Sequence, residues 1–451
     1  MKVNDDFLQM LRKGLTPGHL MTDPSDCWLY SYDNSRHRAL PEAVVFARET
    51  QEVQHIVQSC YKYGIPLVVR GRGTGTPGGA VPIQGGVVLS LEKMDKIIEA
   101  NFQDRYIKAE AGVLNQAIQN IAEKAGFFFV PDPGSAAYCT IGGNIGYNAA
   151  GPRAVKYGAT REHVLGLTAV TGIGEIIHTG TYTTKGAVGY DLTRLLIGSE
   201  GTLAVITEAI LKLTPLSDFK NTLQITYRDL DSAMQAVINI MSQPYLPSAL
   251  EFLDESCLKL IQYHYSDAVC MLLIDIDDER AKKNILNAVQ NKDLIEIHQA
   301  ENQTEMRNLW AARKALSPAL KTLSPYKINE DIVVPVSRVP ELLLGIKKLG
   351  EKYQIPIVNF GHIGNGNIHV NLLTKSADEC LSEIFDLVIN LKGTLSGEHG
   401  IGLEKKPYIS RVIDKSTLDI MRQIKKSFDP KSILNPGKIF PDVTAINRAD
   451  T

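Results

Sequence analysis

Val69-Arg70-Gly71-Arg72-Gly73-Thr74-Gly75-Thr76-Pro77-Gly78-Gly79 decides the reading of the first half of this chain. It follows the apolar run Ile65-Pro66-Leu67-Val68-Val69, which predicts a buried strand. Glycine then fills five of the nine positions from Gly71 to Gly79. A backbone without Cβ atoms turns tightly, takes positive φ and aims several N–H groups at one point, forming a nest suited to a pyrophosphate. The P-loop alternative fails because no Gly-Lys-Ser/Thr closes the segment. Gly73-x-Gly75-x-x-Gly78 matches the Rossmann spacing formally, but that turn must open a helix, and Gly79-Ala80-Val81-Pro82-Ile83-Gln84-Gly85-Gly86 cannot form one.

A chain of 451 residues predicts two or three domains, each with its own core. A net charge of −2 without a basic block argues against nucleic acid as a partner. The composition, 44% hydrophobic and 22% charged, with no membrane-length apolar run and no apolar signal after Met1, predicts a soluble cytoplasmic protein. Peripheral membrane association and a homodimer stay open. Six cysteines without a Cys-x-x-Cys pair predict neither a disulfide framework nor a zinc finger.

Residues 1–39 read as a helical lead-in, and strands and helices alternate over 40–216. Thr50 is the expected N-cap of a helix with Val53, Ile56, Val57 and Cys60 on one face, stopped by Gly64. Leu114, Ala117, Ile118, Ile121 and Ala125 make a second apolar stripe. From about Leu216 the texture changes to an α+β domain, with Leu223-Gln224-Ile225-Thr226-Tyr227 a strand; this domain is taken to span 217–427. Segment 428–451 is expected to return to the first domain.

Three further segments share the chemistry of the first loop: Pro131-Asp132-Pro133-Gly134-Ser135 with Cys139-Thr140-Ile141-Gly142-Gly143, then Asn148 to Gly158, then Gly198-Ser199-Glu200-Gly201 to Thr207. Together they suit a backbone lying along an extended polar ligand. They resemble the FAD-binding domain of the vanillyl-alcohol-oxidase, or PCMH-type, superfamily, which implies two α/β subdomains over 40–216. The resemblance implies FAD contacts from Arg70, Gly71, Arg72, Gly73, Thr74, Gly75, Gly78, Pro131, Asp132, Ser135, Cys139, Thr140, Gly142, Gly143, Asn148, Tyr157, Glu200, Gly201, Ile206 and Asn435. Glu200 lies in the segment that, by this resemblance, reaches the adenine side. With Arg72 and no histidine in the first loop, the FAD is expected to be non-covalent.

In the second half, Gly364-Asn365-Gly366-Asn367 is a turn signal between Ile357-Val358-Asn359-Phe360 and Ile368-His369-Val370. A four-residue hairpin loop there would oppose His362 to His369, with Cβ atoms roughly 5 Å apart, and Asn371 on the same face. Two such imidazoles can share a metal ion, and Gly397-Glu398-His399-Gly400 supplies candidates for another ligand. A flavin oxidising a carbon that bears a hydroxyl needs a base for the hydroxyl proton and a clamp for a carboxylate. Histidine suits the first and an arginine, such as that of Trp310-Ala311-Ala312-Arg313, the second.

These pieces, with Lys327 and the closing Leu434-Asn435-Pro436-Gly437-Lys438, resemble the FAD-linked oxidase C-terminal domain of D-lactate dehydrogenases, glycolate oxidase flavin subunits and D-2-hydroxyglutarate dehydrogenases. The implied fold is a ferredoxin-like α+β cap. The implied roles are His362, His369 and Glu398 as ligands of Zn or Mn, His399 as base, and Arg313, Lys327 and Asn371 as substrate contacts. Asn365 stands where the family pattern has Asp, which removes a charge but no ligand. The expected reaction is FAD-dependent oxidation of a D-2-hydroxy acid, D-lactate or D-2-hydroxyglutarate, to the 2-oxo acid, with hydride passing to flavin N5. A quinone, cytochrome or electron-transfer flavoprotein would accept the electrons. The alternatives are a glycolate-oxidase-type subunit that needs partner chains and, behind it, a metal-dependent hydrolase.

Overall fold

The computed structural model describes residues 3–441. The first two residues of the lead-in and residues 442–451 of the returning segment lie outside them. The chain divides into two contact units. Among the described residues, the first holds 3–150, Ala159–Leu216 and 398–441; the second holds Gly151–Gly158 and Ser217–Gly397. The second unit therefore differs from the span 217–427 read from the sequence: it ends at Gly397 and takes in the short segment that carries Tyr157.

Among the described residues, two larger sheets and the short pair Phe127–Phe128 with Thr214–Pro215 build the first unit. One orders Leu20–Met21, Ala43–Phe46, Val87–Ser90 and Leu67–Arg70, with the last three parallel. The lead-in is thus not purely helical, because Leu20–Met21 pairs at the sheet edge. Helix Thr50–Tyr63 packs Val53, Ile56, Val57 and Cys60 into this core, all at 0% exposure. Burial of aliphatic side chains like these stabilises by about 1.5–3 kcal/mol each, which fixes the helix on the sheet. Its N-cap is Glu49 rather than Thr50. Thr50 is already helical, and its hydroxyl bonds to that of Thr207 at 3.0 Å. Gly64, at φ 65°, ends the helix in the left-handed conformation. The second sheet is antiparallel, in the order Ile97–Asn101, Tyr106–Glu110, Ala204–Lys212, Val164–Thr171, Ile176–Gly180.

The returning segment closes the first unit. Strand Leu67–Arg70 lies at its sheet's edge, where Leu67 exchanges backbone hydrogen bonds with Ile433 and Asn435. An edge covered in this way is protected from other strands.

The second unit is one antiparallel sheet of seven strands: Leu294–Gln299, Asn221–Tyr227, Cys270–Ile276, Ala249–Asp254, Ile357–Gly361, Asn367–Leu372 and Ile328–Val333. Helix Gln303–Ala319 sets Leu316 against Leu253 and Phe360 in a small core on one sheet face. Among the described residues, no helix is long and apolar enough to cross a membrane.

Candidate functional site

In the first unit the glycine-rich loop follows the strand as expected and forms no helix. Gly73 and Gly78 take φ of +66° and +82°. Among the described residues, the N–H groups of Gly71 to Thr76 find no protein acceptor. Main-chain amides left without a protein acceptor in a glycine-rich loop suit a phosphate ligand. Arg70 reinforces them from below. Its guanidinium donates to Tyr32 O at 2.6 Å and fills the space that a Cβ on Gly73 would need. Arg72 is exposed and 3.7 Å from Glu92.

The other cradle segments meet this loop around helix Ile141–Tyr147. A Cβ on Gly71 would lie 2.4 Å from the Thr140 hydroxyl, which N-caps that helix by accepting from Gly143 N–H. Gly142 lies so close to Ala111 that a Cβ would come within 2.7 Å of its side chain. Cys139 and Asn144 pair their side chains, and Asn144 joins Asn115, which donates to Pro131 O. Asp132 and Ser135 sit in the loop after Pro131, and Ile206 is buried in strand Ala204–Lys212. Asn148 ends helix Ile141–Tyr147 at φ 50° and accepts from Arg161 N–H. Gly198 and Glu200 donate their N–H groups to Ile145 and Gly146. Asn435 then ties Gly79 O to Glu200 O. Except for Tyr157, the expected FAD residues thus belong to one unit. Tyr157 lies in the other, where its hydroxyl donates to the Asp277 carboxylate.

In the second unit, His369 is opposed not by His362 but by Phe360. The turn is not a four-residue hairpin loop. Ile363–Asn365 forms a 3-10 turn ending at Gly366, φ 70°, and this shifts the register by two residues. His362 lies just past the strand end and still reaches its partner: the two Nε2 atoms are 3.5 Å apart and the rings meet edge-on. Two imidazole nitrogens at ~2.1 Å from one tetrahedral ion lie roughly 3.4 Å apart, so the pair fits a shared zinc-like ion. Asn365 is exposed at the turn.

The fixing groups were not visible in the sequence. Glu251, fully buried in strand Ala249–Asp254, receives His362 Nδ1 at 2.5 Å on one oxygen and Arg313 Nε and Nη2 at 2.8 and 2.6 Å on the other. A donated Nδ1–H leaves the Nε2 lone pair of His362 facing His369. Burial alone would raise the Glu251 pKa; its partners His362 and Arg313 outweigh it and hold the carboxyl at about 2. Arg313 also lies over the Phe360 ring, 4.6 Å from its centroid. Asp331, also fully buried, accepts from Asn367, Ser396 and the Gly397 N–H, and lies 4.0 Å from His369 Nδ1. It therefore fixes the chain immediately before Glu398.

Lys327 donates to Ser317 at 3.0 Å, one helical turn beyond Arg313; burial, helped by the charge of Lys321, lowers its pKa. Both amide hydrogens of Asn371 are taken by the carbonyls of Val358 and His369, and its oxygen accepts from Asn329. Any substrate contact by Asn371 must use that oxygen. His399 lies in the first unit, in the segment after Glu398.

Residues 41–180 match the family described as an FAD binding domain, and residues 216–439 match the FAD linked oxidases, C-terminal domain. The chain is 38% identical to a glycolate oxidase subunit GlcD of Bacillus subtilis, over 91% of this chain and 92% of that protein. It is 34% identical to a D-lactate dehydrogenase of Anaerostipes hadrus, over 89% and 90%. It is 33% identical to a D-2-hydroxyglutarate dehydrogenase of Stutzerimonas stutzeri, over 96% and 98%. The solved structure of p-cresol methylhydroxylase shares the fold, with a TM-score of 0.81 at 18% identity over 98% of this chain and 97% of that one.

Proposed function

This chain belongs to the FAD-linked oxidases, a family of FAD-dependent oxidoreductases, and on that premise we propose that it oxidises a D-2-hydroxy acid, D-lactate or D-2-hydroxyglutarate, to the 2-oxo acid. The observation that carries this reading is Glu251, which joins one imidazole of the His362–His369 pair to Arg313. A 2-hydroxy acid has a hydroxyl and a carboxylate on adjacent carbons, and these are the groups that such neighbours recognise.

FAD held along the glycine-rich loop would supply the acceptor for a hydride from C2. A divalent ion, zinc or manganese, held by His362, His369 and Glu398 would polarise the hydroxyl and lower its pKa. Arg313 binds the carboxylate. Its Nε edge is occupied by Glu251, so Nη1 offers its two N–H groups. Phe360 keeps the guanidinium plane fixed, and Lys327 supplies a second cation for the carboxylate or for a distal one. His399 takes the hydroxyl proton, the role natural to an imidazole near neutral pH. Electrons then leave to a quinone, a cytochrome or an electron-transfer flavoprotein.

A second reading is favoured by one observation: the glycolate oxidase relative is itself called a subunit. On that reading the chain turns over only within an assembly. Anaerobic addition of D-lactate, D-2-hydroxyglutarate or glycolate to the purified yellow protein tests both. Bleaching of the flavin band by a D-2-hydroxy acid alone supports the first reading. A yellow protein that no 2-hydroxy acid bleaches without partner chains supports the second and overturns the first.

A further inference from the structure

We propose that Glu200 is a positioning residue that fixes the turn carrying His399; the inference rests on the reading of His399 as the base. The Glu200 carboxylate is buried, and its two oxygens accept from consecutive main-chain amides, Ile401 N–H at 2.7 Å and Gly402 N–H at 2.8 Å. A carboxyl group that accepts from two adjacent amides ties the two residues to one point and so holds the turn.

The direction of that side chain is itself fixed. Glu200 has φ +53°, a left-handed conformation that costs a non-glycine residue on the order of 1 kcal/mol. It persists because Glu200 N–H donates to Gly146 O while Glu200 O accepts from Asn435. The carboxylate is therefore aimed at the turn by its own backbone.

The turn fits against it without slack. Gly400 has φ +87°, and a Cβ there would lie 2.7 Å from the Tyr147 ring and 2.8 Å from Glu200 Oε1. A Cβ on Gly402 would lie 2.2 Å from Pro77 O, and Leu403 N–H donates to that same carbonyl. His399 precedes these anchored residues directly. Both Glu200 oxygens accept main-chain amides of the turn, and we assign the side chain to that role rather than to the adenine side expected from the sequence. A base displaced by an ångström loses about 100-fold in rate, which is what the anchor prevents.

The test compares Glu200→Gln, Gly400→Ala and His399→Ala as FAD-loaded proteins by anaerobic stopped-flow with the 2-hydroxy acid that bleaches the wild type. Glutamine keeps one acceptor but turns an NH2 group towards the second amide. In Glu200→Gln we expect unchanged FAD content and substrate Kd, with the flavin-reduction rate constant about 10- to 100-fold lower. Gly400→Ala keeps Glu200 and displaces the turn, so it should show the same split and remains informative if Glu200→Gln fails to fold. Combined with His399→Ala, Glu200→Gln should add no further slowing, because it acts through the imidazole. Loss of FAD with normal reduction after reconstitution, an unchanged reduction rate in either variant, or an additive double variant each overturns the proposal. Near-normal reduction by His399→Ala alone would instead remove the base assignment on which it rests.

Discussion

Glu251→Gln removes one charge from the second unit while keeping the shape of the side chain. In the wild type one oxygen takes two N–H groups from Arg313 and the other takes His362 Nδ1. An amide has a single acceptor oxygen. If it stays with Arg313, the NH2 group faces His362 and the ring must present an unprotonated Nδ1. Nε2 then carries the proton, pointing at His369, and cannot bind a metal. If the oxygen turns to His362, the NH2 group meets the arginine donors, and a buried guanidinium loses its counter-charge. Loss of such a supporting partner costs about 10- to 100-fold in metal affinity, which is ~1.4–2.7 kcal/mol. One unsatisfied buried donor costs about 1–3 kcal/mol of stability. Zinc competition against a chromophoric chelator on the FAD-loaded protein measures the first, and urea melts at matched metal occupancy measure the second. Metal affinity within about twofold of the wild type in a folded variant would refute the claim that Glu251 sets the His362 tautomer.

His399→Ala should retain FAD and metal yet lose about 100-fold or more in anaerobic flavin reduction; equal rates in wild type and variant would dismiss it as the base. Chelation should abolish turnover, and Zn²⁺ or Mn²⁺ should restore it; full activity after verified metal removal would count against the metal's role. Glu404 is a pH probe of the first unit. Burial alone would raise its pKa, but hydrogen bonds from His37 and Arg36 and their charges hold it at about 2. A folded pKa below the unfolded one means that its contribution is present above about pH 4 and is lost as pH falls towards 2. Urea melts across that window should show a shallower acid slope for Glu404→Gln, and identical slopes would contradict the assignment.

The first loop was legible because its chemistry is local: a strand, closely spaced glycines and no helix after them leave few alternatives. Helix Thr50–Tyr63 was legible from its stripe, though its cap was off by one residue because Thr50 finds its partner in the distant Thr207. The histidine pair was predicted for a partly wrong reason. Gly364-Asn365-Gly366-Asn367 does signal a turn, but a 3-10 turn and a flat hairpin draw on the same residues. A shift of two residues keeps every side chain on its face, so the two imidazoles still meet. Glu251 was not legible. One acid in Ala249-Leu250-Glu251-Phe252-Leu253 is a visible anomaly in a buried strand, but its partners lie 62 and 111 residues away, and only the sheet order brings them together. Asp331 escaped for the same reason. The unit boundary at Gly397 falls within Ser396-Gly397-Glu398-His399, where no linker composition marks it.

The return of the chain at Ile433 to Asn435 has a consequence for biosynthesis. Leu67 emerges from the ribosome long before these residues, and the whole of Ser217–Gly397 must be made in between. At 5–20 residues per second that interval is on the order of ten seconds or more. During it the strand that leads into the glycine-rich loop has an open edge, and Gly79 O lacks both Asn435 and the Lys438 ammonium. The second unit therefore has time to fold before the sheet edge at Leu67 is covered. A nascent chain stalled short of residue 433 would hold a finished cap and an unfinished cradle.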